Sequence, residues 1–373
     1  MKLAVLAGDG IGPEVTDEAV RVLEAVEDAK LLDDGTGFEF THGAIGHGAY
    51  LEHGTPLPDA TLELVRESDA ALLGAVTTPP DIEGYRSPVL KLRQELDLYA
   101  CVRPIRSLPD AERAIDMVFV RENTEGLYSG VERADAVRAV TERVITRKAS
   151  ERIVRFALEL ARQRGDTTLM VVHKANVLRA TCGLFRKVAF ELGEQMPGIR
   201  VEEMLVDTCA MELIRAPEQF GVIVTTNLFG DILSDEASML VGGLGLASSA
   251  NIGSEAAVFE PVHGSAPDMA GTGRANPLAA IRAAALMLEH VGEMAAAASV
   301  EAAIEAAVSA RQVTPDLGGA LTTTQATDVV IAKLVDAPNA GRSEAVRGCS
   351  GRAPRGRGRP PAARSCSAGR GSG

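Results

Sequence analysis

Short apolar runs, each long enough for one strand, recur along this chain and are separated by longer stretches with helical periodicity. They fall at Leu3 to Ala7, Ala70 to Val76, Met117 to Val120, Leu169 to Val172 and Val222 to Thr226. After the first run, apolar Val15, Ala19, Val22, Leu23 and Val26 repeat at helical spacing, and Ser150 to Gln163 and Asn276 to His290 read as amphipathic helices. A strand without polar alternation needs cover on both faces, which helices packed above and below a sheet provide. The pattern predicts an α/β protein with largely parallel, buried strands. At 373 residues the chain is long enough for two domains. It carries no internal repeat at solenoid periods.

Composition narrows the function class. The five cysteines (Cys101, Cys182, Cys209, Cys349, Cys366) are scattered and form no CxxC pair, which argues for reduced thiols rather than a disulfide framework or a structural zinc site. The net charge of −13 disfavours a general nucleic-acid role. From Asn339 onward the balance inverts, with eight Arg against the single acid Glu344. With almost nothing apolar to bury, residues 339–373 are expected to be a disordered basic tail. The first apolar run is too short for a signal peptide and no run is long enough to span a bilayer, so the expected location is the cytoplasm, without membrane association.

Gly8, Gly10 and Gly12 follow the first predicted strand, yet their spacing is GxGxG and Pro13 stands where a third glycine belongs, so the Rossmann fingerprint is absent. Three other segments gather chemistry. In YRSPVLKLRQELDLYACVRPIR, Arg93 and Arg103 flank a strand-like run at Leu96 to Val102; arginine forks bind carboxylates bidentately and suit a di-acid. In RENTEGLYSG, Arg121 and Tyr128 offer an anion contact and a proton donor at the end of a buried strand, whereas Glu122, Asn123 and Glu125 read equally well as a polar loop. In TTNLFGDILSDEASMLVGGLG, a helix after Gly230 would put Asp231 and Asp235 on one face, where like charges repel unless a cation lies between them; with a third acid such as Asp207, the set suits Mg²⁺.

Taken in order, GDGIGPE, LRQELDLYACVRP, VRENTEGLYSG, HKANVLRAT, TTNLFGDILSDEAS, GGLGLA, FEPVHGSAPDMAGTGRANP and TPDLGG resemble the β-decarboxylating dehydrogenases that act on isopropylmalate, isocitrate, homoisocitrate and tartrate. The resemblance covers roughly Met1 to Val335. It implies a two-domain α/β fold distinct from the Rossmann fold, with parallel and mixed sheets flanked by helices. Residues 1–97 with 245–338 would form a large NAD-binding domain and 98–244 a small domain for dimerisation, metal and substrate. It also implies a homodimer, or a dimer of such dimers, with active sites shared between subunits.

Carried over residue by residue, the resemblance assigns the substrate carboxylates to Arg93, Arg103 and Arg121, and the substrate's remaining surface to Ser87, Val89 and Leu90. It assigns Mg²⁺ or Mn²⁺ to Asp231 and Asp235 with Asp207 of the partner subunit, the base to Lys174 of the partner subunit, and enol protonation to Tyr128. The NAD site would comprise Glu260, His263, Gly264, Ser265, Ala266, Asp268 and Asn276. Asp268 would accept from the adenosine ribose and repel a 2′-phosphate. Apolar Val89 and Leu90 point to 3-isopropylmalate, the central substrate of a leucine-forming route, while Ser87 and Arg86 also suit isocitrate or homoisocitrate. A regulatory, non-catalytic subunit on the same fold would lack parts of this set, all of which is present here.

Overall fold

A computed structural model describes residues 1–33, 37–82, 84–108 and 111–336. The basic segment 339–373, for which disorder was expected, lies outside the described residues.

In chain order the strands are β1 (Lys2–Gly8), β2 (Glu39–His42), β3 (Ala70–Ala75), β4 (Ala100–Arg106), β5 (Asp116–Glu122), β6 (Glu132–Ala134), β7 (Ala139–Thr141), β8 (Thr168–His173), β9 (Arg200–Leu205), β10 (Val222–Thr225), β11 (Ser248–Ile252) and β12 (Ala257–Pro261). The helices are α1 (Gly12–Asp28), α2 (His47–His53), α3 (Asp59–Glu67), α4 (Pro88–Glu95), α5 (Arg147–Arg164), α6 (Thr181–Gly193), α7 (Val206–Arg215), α8 (Asn227–Ser238), α9 (Leu278–Val291), α10 (Met294–Ser309) and α11 (Thr323–Asp336). Ten strands make one sheet in the order β2-β1-β3-β12-β11-β4-β5-β10-β8-β9, while β6 and β7 pair separately.

All five predicted runs are strands of this sheet. Both of its faces are covered, which is why their sequences are nearly continuous in apolar residues. Along β1, Leu3 packs beneath α1 and α9 with Val15, Val22 and Ile281, whereas Ala4 and Leu6 face α3 with Leu62 and Val65. At the other end Val120 faces α5 and α6 with Ile153 and Phe185, and Phe119 faces α7 and α8 with Leu213 and Leu233. The helix α5 is delimited as its ends dictate: the Thr146 side chain accepts from Ala149 N, and Gly165 closes it at φ 78°.

The sheet is largely parallel, as expected, with an antiparallel centre, since β12–β11, β11–β4 and β4–β5 run oppositely. Two expectations need correction. The strand-like run at Leu96 to Val102 is not a strand from its start: Leu96 and Leu98 donate back to Leu92 O and Arg93 O, Asp97 turns at φ 45°, and extended pairing begins at Ala100. Arg93 therefore sits on α4 and Arg103 inside β4. Finally, α9 is buried nearly all round rather than amphipathic, because α1 and α10 cover what the sheet does not.

Candidate active site

The antiparallel centre of the sheet brings two arginines together. Arg103 on β4 and Arg121 on β5 fall on one face, with Cys101 opposite Arg121 and Arg103 opposite Phe119. Over that face lies α8, and Gly230 makes the approach possible, since a Cβ there would stand 2.7 Å from Arg121 Cγ. The helix begins at Asn227, one turn earlier than Asp231, so Asn227, Asp231, Ser234 and Asp235 recur at i, i+4, i+7 and i+8 and form one polar stripe.

That stripe meets the arginines group by group. Asn227 Oδ1 accepts from both Nε and Nη2 of Arg121, at 3.1 and 2.7 Å, and Asp231 Oδ1 accepts from its Nη1 at 2.5 Å. Arg103 donates Nη1 to Ser234 Oγ and to Asp235 Oδ1, both at 2.8 Å, and its Nη2 lies 3.2 Å from Asp231. Tyr128, on the turn after Gly126 (φ 83°), donates its hydroxyl to Asp231 Oδ2 at 2.7 Å. Arg121 is only 1% exposed, so its charge depends on these partners.

Burial alone would raise both aspartates, but their outcomes diverge. Arg121, Arg103 and the Tyr128 hydroxyl overcome burial and hold Asp231 below the ordinary carboxylate range. For Asp235, burial prevails over Arg103, and the neighbouring Asp231 charge adds to it, so its carboxyl is pushed up. Burial and the hydrogen bond to Asp231 raise the Tyr128 phenol, which keeps it protonated. Two carboxylates that repel each other across one helical turn offer hard oxygen ligands to a divalent cation. Among the described residues no group of three metal-type side chains forms.

Next to this array, Arg93 reaches Glu260 at 2.9 Å. Arg93, Arg103, Val89, Glu260, His263 and Gly264 line a cleft of about 140 Å³. Ser87 starts α4, and Ser87, Val89 and Leu90 are all partly buried there. The loop after β12 completes the neighbourhood. Ser265 is buried and bonds Thr77 Oγ1 at 2.7 Å, while its carbonyl accepts from Ile11 N in the GDGIG turn. Ala266 takes a left-handed φ of 35° and Asp268 is exposed. His263 Nδ1 contacts Gly264 O, its Nε2 is buried without a hydrogen-bond partner, and burial lowers its pKa. Asn276 instead donates to Asp316 at 2.8 Å and accepts from Leu278 N at the start of α9. The GDGIG turn itself is organised by Asp9, which accepts from His47 N, Gly48 N and Thr77 N.

Two predicted residues stand apart. Lys174 Nζ donates to Asp207, and among the described residues no hydrogen bond or ion pair joins this couple to Asp231 or Asp235. Of the residues left open as a polar loop, Glu122 is buried and accepts from Thr124 N and Glu125 N, and Asn123 bonds Asn251 at 2.9 Å. The residues that sequence reasoning missed are Asn227, Ser234 and Asn251; Asn251 also donates to Glu260 at 2.8 Å, behind Arg93. The helical spacing of Asn227 and Ser234 with the two aspartates was the available signal, whereas nothing in the sequence marks Asn251.

Comparison with known proteins gives one consistent result. The family model described as isocitrate/isopropylmalate dehydrogenase matches residues 2–331. The chain is 46% identical to the homoisocitrate dehydrogenase of Methanocaldococcus jannaschii, over 89% of this chain and 97% of that protein. It is 45% identical to the 3-isopropylmalate dehydrogenase of Methanothermobacter thermautotrophicus, over 90% and 99%. Among solved structures, isocitrate dehydrogenase from Methylococcus capsulatus superimposes with a TM-score of 0.84 at 44% identity, covering 90% of this chain and 99% of that one.

Proposed function

Given that the chain belongs to the isocitrate/isopropylmalate dehydrogenase family of β-decarboxylating enzymes, we propose that it oxidises and decarboxylates a malate-type 2-hydroxy acid using NAD and Mg²⁺ or Mn²⁺. The observation that carries this reading is the convergence of Arg93, Arg103 and Arg121 with Asp231, Asp235 and Tyr128 around one cleft. Arg93, Arg103 and Arg121 bind the substrate carboxylates, and buried Arg121 also fixes the orientation of Asp231. When bound, the divalent cation would supply Lewis acidity and NAD would serve as hydride acceptor. Asp231 and Asp235 would hold the cation together with Asp207 of the partner subunit, and the fit is supported by the repulsion between the two carboxylates. Lys174 of the partner subunit removes the hydroxyl proton, and Tyr128, kept protonated by burial, returns a proton to the enol carbon.

A second copy of the chain supplies the missing base and third acid in this reading. Exposed Met211 and Ile214 on α7, with Ile232 on α8 and Met239 just after it, offer an apolar face for that contact. Asp268 at the exposed rim favours NAD over its 2′-phosphate form. The proposed division into lobes at residues 97/98 and 244/245 puts this site at their junction.

For the substrate, Val89 in the cleft wall favours an apolar C3 substituent and hence 3-isopropylmalate. One observation favours homoisocitrate instead: Arg86 is exposed at the start of α4 and no acid among the described residues pairs with it, so it is available to a further carboxylate. Steady-state rates with 3-isopropylmalate, homoisocitrate and isocitrate, with NAD and with or without EDTA, test the whole proposal. It predicts the highest kcat/KM for 3-isopropylmalate and loss of turnover on chelation; activity undiminished by exhaustive chelation would overturn the metal role. No helix among the described residues is long and apolar enough to cross a membrane, and a cytoplasmic location is part of the proposal.

A further inference from the structure

The other face of the sheet carries a cavity that the proposed reaction does not use. Side chains alternate along a strand, so while Arg103 of β4 faces the candidate active site, Val102, Pro104 and Arg106 face the opposite way. They line a cavity of about 280 Å³ enclosed by α5, α9 and α10. Its walls are apolar at Val102, Leu160 and Leu286 and ionic at Arg106, Arg282, Glu289, Glu301 and Arg164, the last paired with Asp116 and Asp166.

The ionic groups are incompletely matched. Arg282 is 8% exposed and donates from Nη1 to Leu246 O at 3.2 Å. Its Nε lies 3.3 Å from Glu301 Oε2 but out of line, and this buried donor has no hydrogen-bond partner. Burial pushes the Glu301 carboxyl up against the pull of Arg282. Burial also raises Glu289, and the nearby Glu301 adds to it, with Arg106 opposing. Among the described residues no hydrogen bond or ion pair reaches the Glu289 carboxylate. At the rim, Arg106 has only a 3.5 Å contact with the exposed Asp116.

Two crowded carboxylates, the loosely held Arg106 and an aliphatic wall call for a ligand that carries a cation, an acceptor and an alkyl arm together. We propose that this cavity is a second ligand site, for an aliphatic α-amino acid. Its ammonium sits between Glu289 and Glu301, its carboxylate faces Arg106, and its side chain packs on Val102, Leu160 and Leu286. Because β4 lines both this cavity and the substrate cleft with alternate residues, the ligand binds without entering the cleft.

The test is calorimetric titration of the full chain with L-leucine, with 3-methylbutylamine, 4-methylpentanoate and glycine as probes that each lack one of the three features. The expected result is saturable leucine binding, at least about tenfold tighter than any of the three. Binding should weaken about tenfold or more in Glu289→Gln, whose carboxylate has no hydrogen bond or ion pair among the described residues to lose, so that the unliganded melting temperature is unchanged, and likewise in Glu301→Gln. Leucine affinity should be unaffected by saturating 2-hydroxy acid substrate. No saturation up to about 50 mM leucine overturns the site. Displacement by substrate together with indifference to both Glu variants places leucine in the substrate cleft and overturns it equally. Binding of the bare amine as tight as that of leucine overturns the amino-acid class.

Discussion

Asn227 is the residue on which the buried Arg121 most depends, and replacing it separates stability from substrate binding. Its single Oδ1 takes two guanidinium N–H groups, at 3.1 and 2.7 Å, from a side chain that is 1% exposed. In Asn227→Ala those donors lose their acceptor. An unsatisfied buried donor costs about 1–3 kcal/mol, more when charged, and the two share one oxygen, so the expected loss is about 3 kcal/mol. Asn227→Asp keeps an oxygen in place and sets a negative charge in the first turn of α8, so its stability should stay within about 1 kcal/mol of the parent. It also neutralises Arg121, and a charge-assisted contact worth about 1.5–3 kcal/mol raises the substrate KM roughly 10- to 100-fold. The assay is urea unfolding at fixed protein concentration, paired with steady-state kinetics. If Asn227→Ala unfolds within about 0.5 kcal/mol of the parent and keeps its KM, Asp231 alone holds Arg121 and the reasoning fails.

Other expectations concern assembly, pH and cofactor. Lys174→Ala and Asp231→Asn should each be nearly inactive, but unfolding, mixing equally and refolding them should restore roughly a quarter of parental activity, since half the dimers are hybrids with one intact site of two; no gain, with hybrids verified by native mass measurement, would put both residues in one subunit's site. Because Arg121 and Arg103 hold Asp231 below its unfolded value, its contribution to stability is full above the ordinary carboxylate range and disappears as pH falls through the lowered native value. The stability gap between the parent and Asp231→Asn should therefore close in acid, and a gap constant from pH 7 to pH values below about 3 would contradict this. Asp268 should give a clear preference for NAD, and comparable kcat/KM with NAD and its 2′-phosphate form would refute that role.

The sequence by itself determined the elements and the inventory of chemical groups. Apolar runs such as Leu169 to Val172 could only be strands buried on both faces, and the spacing in α1 and α5 could only serve helices with one covered side, so local pattern and the demand to hide apolar surface sufficed. The ordered motifs likewise contain the arginines, the aspartates and Tyr128. What the tertiary structure decided were the relations that depend on which strands become neighbours. The antiparallel order β12-β11-β4-β5 aligns Arg103 with Arg121, and Gly230 lets α8 close over them. Asn227, Ser234 and Asn251 become partners of the site only then, because a hydrogen bond acts over about 3 Å, whereas Asn227 and Arg121 are separated by 106 positions in the chain. Asp207 and Lys174 obey the same physics in the opposite sense: the motifs group them with Asp231, yet the fold of one chain pairs them with each other.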